Sequence, residues 1–354
     1  MKNEQNKFIT NDCNRSFSEA SEKLEKLKGK TLLITGGTGF MGSWICEMVY
    51  YMNKVHKMDI SLILMARNKA RFERNLPHIK NSKKIKFIYS DVLKNIEIPK
   101  KVNYIIHAAA NPDNRFHASR PFESMITVAE GASNLFQSAS QLPSLHNILN
   151  VSSSSVYCTH LKKGEKFSED LSDSLCSNKV SDYFSAANRY SESLCNAARS
   201  EFRLPISTIR PFTFCGAYQD IDSPWAINNF INDALHKRPI KIHGDGEVIR
   251  SYMYGADLAI WTLVIMLHTK NGEVYNVGST HGSPLKEIAN KVASYFQPIS
   301  SIMTNTSLVA NNHHSILLPD TAKAERDFGL KLYTSIDTSI KRSAQWFKDN
   351  LNYE

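Results

Sequence analysis

Six cysteines are scattered through the 354 residues, at positions 13, 46, 158, 176, 195 and 215, and none form a CxxC pair. That spacing argues against a zinc site and against a disulfide scaffold, and it fits a reducing compartment. No metal site is expected. Long apolar runs are also missing. The longest, Leu258–Leu267, is broken by Thr262 and closed by Asp257 and His268. A membrane span needs about 20 apolar residues, so this stretch reads as a buried helix and no membrane partner is expected. The first residues, MKNEQNKFITNDCNRSF, hold no apolar core of a secretory leader, so a cytoplasmic location is expected. There is no internal repeat, no low-complexity tract, no long Lys/Arg block and no interleaved aromatic–basic module, which sets nucleic acid aside as a partner.

What is present is ordinary globular material. Hydrophobic residues make up 42% and charged residues 22%, values that exclude a disordered or fibrous chain. The length predicts one large domain or two lobes. A net charge of +9 implies either a generally basic surface or an attraction for polyanionic small molecules such as nucleotides.

Residues 1–28 read as a polar, loosely docked N-terminal extension, with a short amphipathic helix over Ser18–Lys28. Short apolar runs then alternate with helical patterns. Strands are expected at Thr31–Thr35, Ile60–Met65, Ile85–Tyr89, Val102–His107, His146–Ser152 and Ile206–Arg210. Helices are expected at Phe40–Met52, Phe122–Ser140 and Asp182–Phe202. This alternation predicts an α/β fold with a doubly wound parallel sheet of Rossmann type and a smaller C-terminal substrate-binding lobe. The expected division is 29–210 for the dinucleotide-binding lobe, with 246–279 partly returning to it. The second lobe is then 211–245 and 280–354. In that half, Pro224–His236 and Pro284–Tyr295 read as helices, and Pro239–His243 and Val274–Val277 as strands.

Gly36–Gly37–Thr38–Gly39–Phe40–Met41–Gly42 follows the first strand and opens the first long helix, with GxxGxxG spacing. A pyrophosphate needs a tight turn, backbone without Cβ, and the amides and dipole of a helix N-terminus, and this segment supplies all three. Gly36, Gly39, Phe40, Met41 and Gly42 are therefore candidate cofactor residues for NAD or NADP. No carboxylate closes the second strand, where one would bind a ribose 2′-hydroxyl. Arg67 stands there instead, followed by Arg71, which leans toward the 2′-phosphate of NADP. Asp91 is placed to reach the adenine, and Ala108 and Ala109 leave room for a cofactor beside the fourth strand.

TGGTGFMG, HAAA, VSSSSVY (151–157), IRPFTFCG (209–216), GDGEVIRSYMYGADLA (244–259), YNVGS (275–279) and LPDTAKAERDFGL (318–330) occur in one order over roughly Lys28–Phe347. Together they resemble the extended short-chain dehydrogenase/reductase family, in its nucleotide-sugar epimerase/dehydratase branch. The resemblance implies NAD(P) in one lobe and a nucleotide-diphosphate sugar in the other. It also implies transient oxidation of a sugar hydroxyl by a tyrosine base, a lysine four residues on and a Ser/Thr hydroxyl. A homodimer through Phe122–Ser140 and Asp182–Phe202 is part of the same expectation.

The match at the base is partial. Ser153 takes the hydroxyl position. Alignment on Glu192, Leu194 and Cys195 puts Phe184 in the tyrosine slot and Asn188 in the lysine slot. Tyr183 is adjacent, but one residue on a helix turns a side chain by about 100°. Arg189 is a poor proton-relay partner. Three explanations stay open: a base altered by substitution, a natural relative using Tyr183 or another base, and a non-catalytic nucleotide-sugar binder. Ser154 and Ser155 stand where dehydratases of the family carry acidic residues, which argues against 4,6-dehydration and uronic-acid decarboxylation and leaves epimerisation or a redox change at a ring carbon. Epimerisation is the main expectation, with a dehydratase or reductase as the alternative. Val128 stands where the family often has a water-positioning asparagine. Ser154, Asn229 and Arg250 are candidate substrate residues, Arg250 because its fork suits a diphosphate. Asp257 reads as a helix-orienting group. The nucleotide, the sugar and the modified carbon are not legible.

Overall fold

A computed structural model describes residues 7–157, 161–162, 164–171, 182–305 and 315–350. Seven strands form one parallel sheet: β1 Thr31–Thr35, β2 Ser61–Ala66, β3 Ile85–Tyr89, β4 Tyr104–His107, β5 Asn147–Val151, β6 Ile206–Pro211 and β11 Val274–Val277. Their order is β11-β6-β5-β4-β1-β2-β3. From β1 the chain runs outward through β2 and β3, then crosses back to start β4 on the other side of β1. A crevice opens at such a reversal, outside the carboxyl ends of the strands. The strands are nearly continuous apolar runs because both faces of the sheet are covered.

On one face lie α3 Phe40–His56 and α9 Gly255–His268, over Leu32, Ile34, Leu62 and Leu64. Thirteen residues of α9, Gly255 through Leu267, are buried, so the apolar run is a core helix. Among the described residues no helix is long and apolar enough to cross a membrane. On the other face α6 Pro121–Ala139 and α7 Tyr183–Phe202 cover Leu33, Ile63, Ile105 and Ile148 with Ala132, Leu135, Phe136, Cys195 and Ala198. Cys158 and Cys176 lie outside the described residues, and Cys13, Cys46, Cys195 and Cys215 are buried free thiols.

Smaller sheets build the rest. β7 Phe214–Cys215 pairs with β10 Met253–Tyr254, β8 Ile240–His243 pairs with β13 Ile302–Asn305, and β9 Ile249–Ser251 lies between β12 Gly282–Pro284 and β14 Ile316–Leu317. Helices α8 Ala226–Leu235, α10 Leu285–Tyr295 and α12 Ile336–Asn350 close a separate apolar cluster around Ile227, Phe230, Ile288, Val292, Ile340 and Phe347. The spacing Ile340, Ala344, Phe347 is a helix face that the sequence reading passed over.

The N-terminus departs from expectation. The structure has no single helix over Ser18–Lys28. Instead α1 spans Lys7–Ser18, followed by the short α2 Ser21–Leu24 and a 3-10 turn Glu25–Leu27. Phe8, Ile9, Cys13 and Phe17 line one face of α1 and are buried in the main core, so the segment is docked and not loose. Its polar composition hid the pattern, since only one stripe of the helix is apolar.

Asp257 explains the docking. Its carboxylate is fully buried in the first turn of α9. Oδ1 accepts from Ser16 Oγ of α1 at 3.2 Å and from Thr334 Oγ1 at 3.1 Å. Oδ2 accepts from the backbone amides of Tyr333 at 3.1 Å and Thr334 at 2.9 Å. One side chain thus joins α1, α9 and the chain leading into α12. Burial raises its carboxyl from 3.8 to about 6. The native state therefore holds a proton there that the unfolded chain releases near pH 4, and stability is expected to fall as pH rises through the window between about 4 and 6. Asp257→Asn should flatten that slope in a series of urea midpoints. Asp257→Ala strands two buried amides and two hydroxyls and should cost about 3 kcal/mol or more. Equal midpoints for Asp257→Ala and the wild type would remove this account.

Candidate active site

The turn after β1 is built on contact. Gly36 has φ +68°, and a Cβ there would lie 2.4 Å from the carbonyl oxygen of Ala108, just past β4. Only glycine meets both conditions. A Cβ on Gly42 would lie 2.4 Å from the carbonyl oxygen of Gly37, so the helix packs directly on its own turn. At the carboxyl ends of β1 and β4, Thr35 Oγ1 and His107 Nδ1 are 2.7 Å apart and buried. Burial pulls the His107 imidazole down to about 4, so it is a neutral structural pin. Gly39 precedes α3 in extended conformation with no side-chain cap, which leaves the amides of the first turn to an anion.

A cleft of about 450 Å³ runs from this turn across the sheet's carboxyl edge. Of the expected cofactor residues, Gly36, Gly39, Phe40, Arg67, Asp91 and Ala109 line it. Met41, Gly42 and Ala108 are not on its wall. Gly42 and Ala108 act through the close backbone packing just described. At the far end Arg67 Nη1 lies 3.8 Å from Asp91 Oδ2, and Asn68 caps helix α4 Lys69–Asn75 by accepting from the Arg71 amide at 2.9 Å. Arg71 lines the same end, and its buried Nε has no hydrogen-bond partner among the described residues. Burial lowers its guanidinium below the usual range, and the Asp220 charge works against that. A glycine cradle, uncapped helix amides and an orphaned guanidinium nitrogen fit a dinucleotide.

The other end of the cleft reaches the first turn of α7. Phe184 is on its wall, with Thr127, Val128 and Ser124 of α6. Asn188 is buried and its Nδ2 donates to the carbonyl of Phe184 at 2.8 Å, so the residue expected in the lysine slot spends its side chain on its own helix. Tyr183 is half-buried and not on the cleft wall, as its 100° rotation from residue 184 requires. Ser153 caps the 3-10 turn Ser154–Val156 by accepting from the Ser155 amide at 3.1 Å, and Ser153 and Ser154 are half-buried. Arg189 Nε donates to the Val156 carbonyl at 2.8 Å, which ties α7 to that turn.

Beneath it runs a buried polar chain that motif reading did not single out. Ser152 Oγ donates to Glu192 Oε1 at 2.6 Å. Arg210 grips both oxygens of Glu192, at 3.0 and 2.8 Å, and donates to Tyr157 Oη at 3.0 Å. Tyr157 Oη donates to Asn276 Oδ1 at 2.7 Å. Burial raises the Tyr157 phenol, with Arg210 opposing, so Tyr157 is a rigid strut and not a base. The chain locks β5, β6, β11 and α7 together at the carboxyl edge.

Of the expected substrate residues, Asn229 sits half-buried on α8, one turn past the cleft-lining Trp225. The neighbouring Asn228 is buried and its Nδ2 donates to the Asp220 carbonyl at 3.1 Å. Arg250 is not brought to the cleft. Its Nη1 donates to the carbonyls of Ile249 at 2.8 Å and Ser315 at 3.0 Å, and its Nη2 to Ser315 Oγ at 3.3 Å. In this arrangement its fork closes β9 against β14.

The glycine contacts make a sharp prediction. Gly36→Ala forces a methyl against Ala108 and strains the turn, so NADH affinity by fluorescence titration should fall at least tenfold. Gly164→Ala controls for backbone strain alone, since Gly164 also has a positive φ, +92°, but nothing lies within 4 Å of its Cβ position. Unchanged NADH affinity in Gly36→Ala would show that the turn does not hold the cofactor.

Comparison with known proteins agrees with this geometry. The model of the NAD dependent epimerase/dehydratase family matches residues 32–278. An Arabidopsis thaliana trifunctional UDP-glucose 4,6-dehydratase/3,5-epimerase/reductase is 26% identical over 333 residues, covering 91% of this chain and 48% of that protein. The chain thus spans about half the length of that relative. The human dTDP-D-glucose 4,6-dehydratase is 23% identical, covering 91% of both chains. The solved structure of Bacillus cereus UDP-glucuronic acid 4-epimerase, with UDP-glucuronic acid and NAD, is similar with a TM-score of 0.74 at 22% identity. It covers 90% of this chain and 99% of that one. With the family model matched across the parallel sheet and its glycine turn, the chain belongs to the NAD dependent epimerase/dehydratase family.

Proposed function

We propose that this protein modifies a nucleotide-activated sugar by transient oxidation at a ring carbon, with epimerisation as the outcome. The observation that carries the reading is the single cleft joining the glycine turn to residue 184, so that a dinucleotide laid from Arg67 past Gly39 ends beside the first turn of α7. A nicotinamide held there would supply reversible hydride acceptance, with no net consumption of cofactor. The chain's residues do the rest. The Gly39–Gly42 amides hold the pyrophosphate, Asp91 and Arg67 flank the adenosine, and Ser153 and Ser154 offer hydroxyls to the sugar. Asn229, on α8 one turn past the cleft-lining Trp225, would serve the diphosphate, with Arg250 joining it only if its fork leaves the Ser315 carbonyl. Ser154 and Ser155 favour epimerisation, since neither serine can serve as the acid that expels a 6-hydroxyl.

Arg67 favours NADP. A 2′-phosphate would take its guanidinium from Asp91, and the unpartnered Nε of Arg71 lies on the same wall. Phe122 and Tyr190, exposed on α6 and α7 at 78% and 55%, support a homodimer through those helices.

Incubation with NAD+ or NADP+ and UDP-glucose, UDP-glucuronic acid or dTDP-glucose should give a ring epimer by proton NMR with no net change in absorbance at 340 nm. A 4-keto-6-deoxy product would make the chain a dehydratase instead. Failure to bind UDP or dTDP at all would end the reading. Arg67→Ala should weaken NADP+ about tenfold and NAD+ less than threefold, by calorimetry. Equal losses for both would remove the NADP preference.

A further inference from the structure

Residue 184 has no base to offer, yet the ring lying on it is a histidine. His117, from the short helix α5 Asn114–Ser119, stacks on Phe184 with centroids 3.8 Å apart and planes 18° apart. Its Nδ1 is 2.7 Å from Ser124 Oγ of α6. The ring is 8% exposed, and its buried Nε2 has no hydrogen-bond partner among the described residues. Ser124 is itself 3% exposed, and it lines the cleft beside Thr127, Val128 and Phe184. A buried histidine tied to a hydroxyl on the cleft wall, against the slot where a base is missing, is not explained by packing alone.

We propose that Ser124 and His117 together take the place of the missing tyrosine and lysine: Ser124 Oγ touches the sugar hydroxyl and His117 stores the proton. The inference rests on the transient-oxidation reading above. The sugar O–H proton passes to Ser124 Oγ as the serine's own proton passes to His117 Nδ1. The C–H electron pair leaves as hydride to the oxidised nicotinamide cofactor, and the carbon becomes a carbonyl. Reversal returns both, so atoms and charge balance over a full cycle. Ser124 is then the catalytic group and His117 positions and charges it.

The surroundings suit that role. Burial lowers the His117 imidazole, which keeps it neutral and able to accept, while the Asp113 charge opposes the shift and favours the protonated ring. Once protonated, the ring lies on the π face of Phe184, an arrangement that stabilises a cation. The phenylalanine thus has a use that a phenol is not needed for. The charged groups at the near ends of the elements packed around the ring are Asp113 and Arg115 at the start of its own helix, paired at 2.7 Å, Arg120 and Glu123 paired at the start of α6, and the N-cap Asp182 with Arg189 in the first turns of α7. Glu130 of α6 and Glu192, Arg199 and Glu201 of α7 lie further along.

The test follows formation of reduced nicotinamide at 340 nm in single turnovers with UDP-glucose, UDP-glucuronic acid and dTDP-glucose, together with UDP binding by calorimetry. His117→Gln and Ser124→Ala should each slow reduction at least 100-fold while UDP affinity stays within threefold. Ser124→Ala spares the ring stack, so it reports even where His117→Gln folds poorly. In His117→Ala, added imidazole should restore part of the rate. Independently of turnover, nitrogen-15 histidine spectra should show the Nδ1 signal of His117 moving in Ser124→Ala. Wild-type rates in both variants would overturn the proposal. So would a rate loss matched by lost UDP binding and not rescued by imidazole, which makes His117 a packing residue. Reduction that appears only in Phe184→Tyr/Asn188→Lys would overturn it too. A wild type and a double variant that both bind UDP and reduce nothing would remove the transient-oxidation reading itself.

Discussion

The molecule turns on one close approach, the backbone of Gly36 against the carbonyl of Ala108. It brings the turn after β1 against the exit of β4, across the line where the strand order reverses. Because no side chain intervenes, α3 starts close to the sheet and its free amides face the crevice. Thr35 and His107 fasten the same two strand ends from inside. The cleft and the location of residue 184 at its other end follow from that contact.

Around this constraint the rest is arranged to stay rigid. The chain Ser152–Glu192–Arg210–Tyr157–Asn276 joins three strands and one helix at the carboxyl edge. Buried charge of this kind is costly unless every partner is met, and here the glutamate meets a serine and both arms of one arginine. Asp257 does the same at the far side, where α1 closes the core. Polar groups are thus used to hold elements in register, and apolar surface supplies the bulk of the burial.

In the proposed reading the site departs from the pattern that the resemblance implies at the point where the proton would go. Phe184 offers a ring without a hydroxyl there, and Asn188 spends its donor on the helix backbone. On that reading the scaffold has room for a different proton acceptor. The ring resting on Phe184 belongs to a segment with no periodic pattern, which is why His117 and Ser124 were not legible as a pair. They lie seven residues apart, on two helices separated by the bend at Arg120–Pro121, and only that bend brings imidazole and hydroxyl to 2.7 Å.

The sequence by itself determined the parallel sheet and the glycine turn, because buried strands need unbroken apolar runs and a phosphate turn needs glycine at set positions. The placing of Phe184, Asn188 and Glu192 on one helix was legible too, since helical spacing is rigid. Only the tertiary structure decided that α1 is part of the core, since its apolar stripe has meaning only once α3 and α9 lie against it. Only the fold decided that Arg250 is engaged by the Ser315 carbonyl and that Arg67 meets Asp91. Those outcomes depend on distances between segments far apart in the chain, which composition and periodicity do not carry.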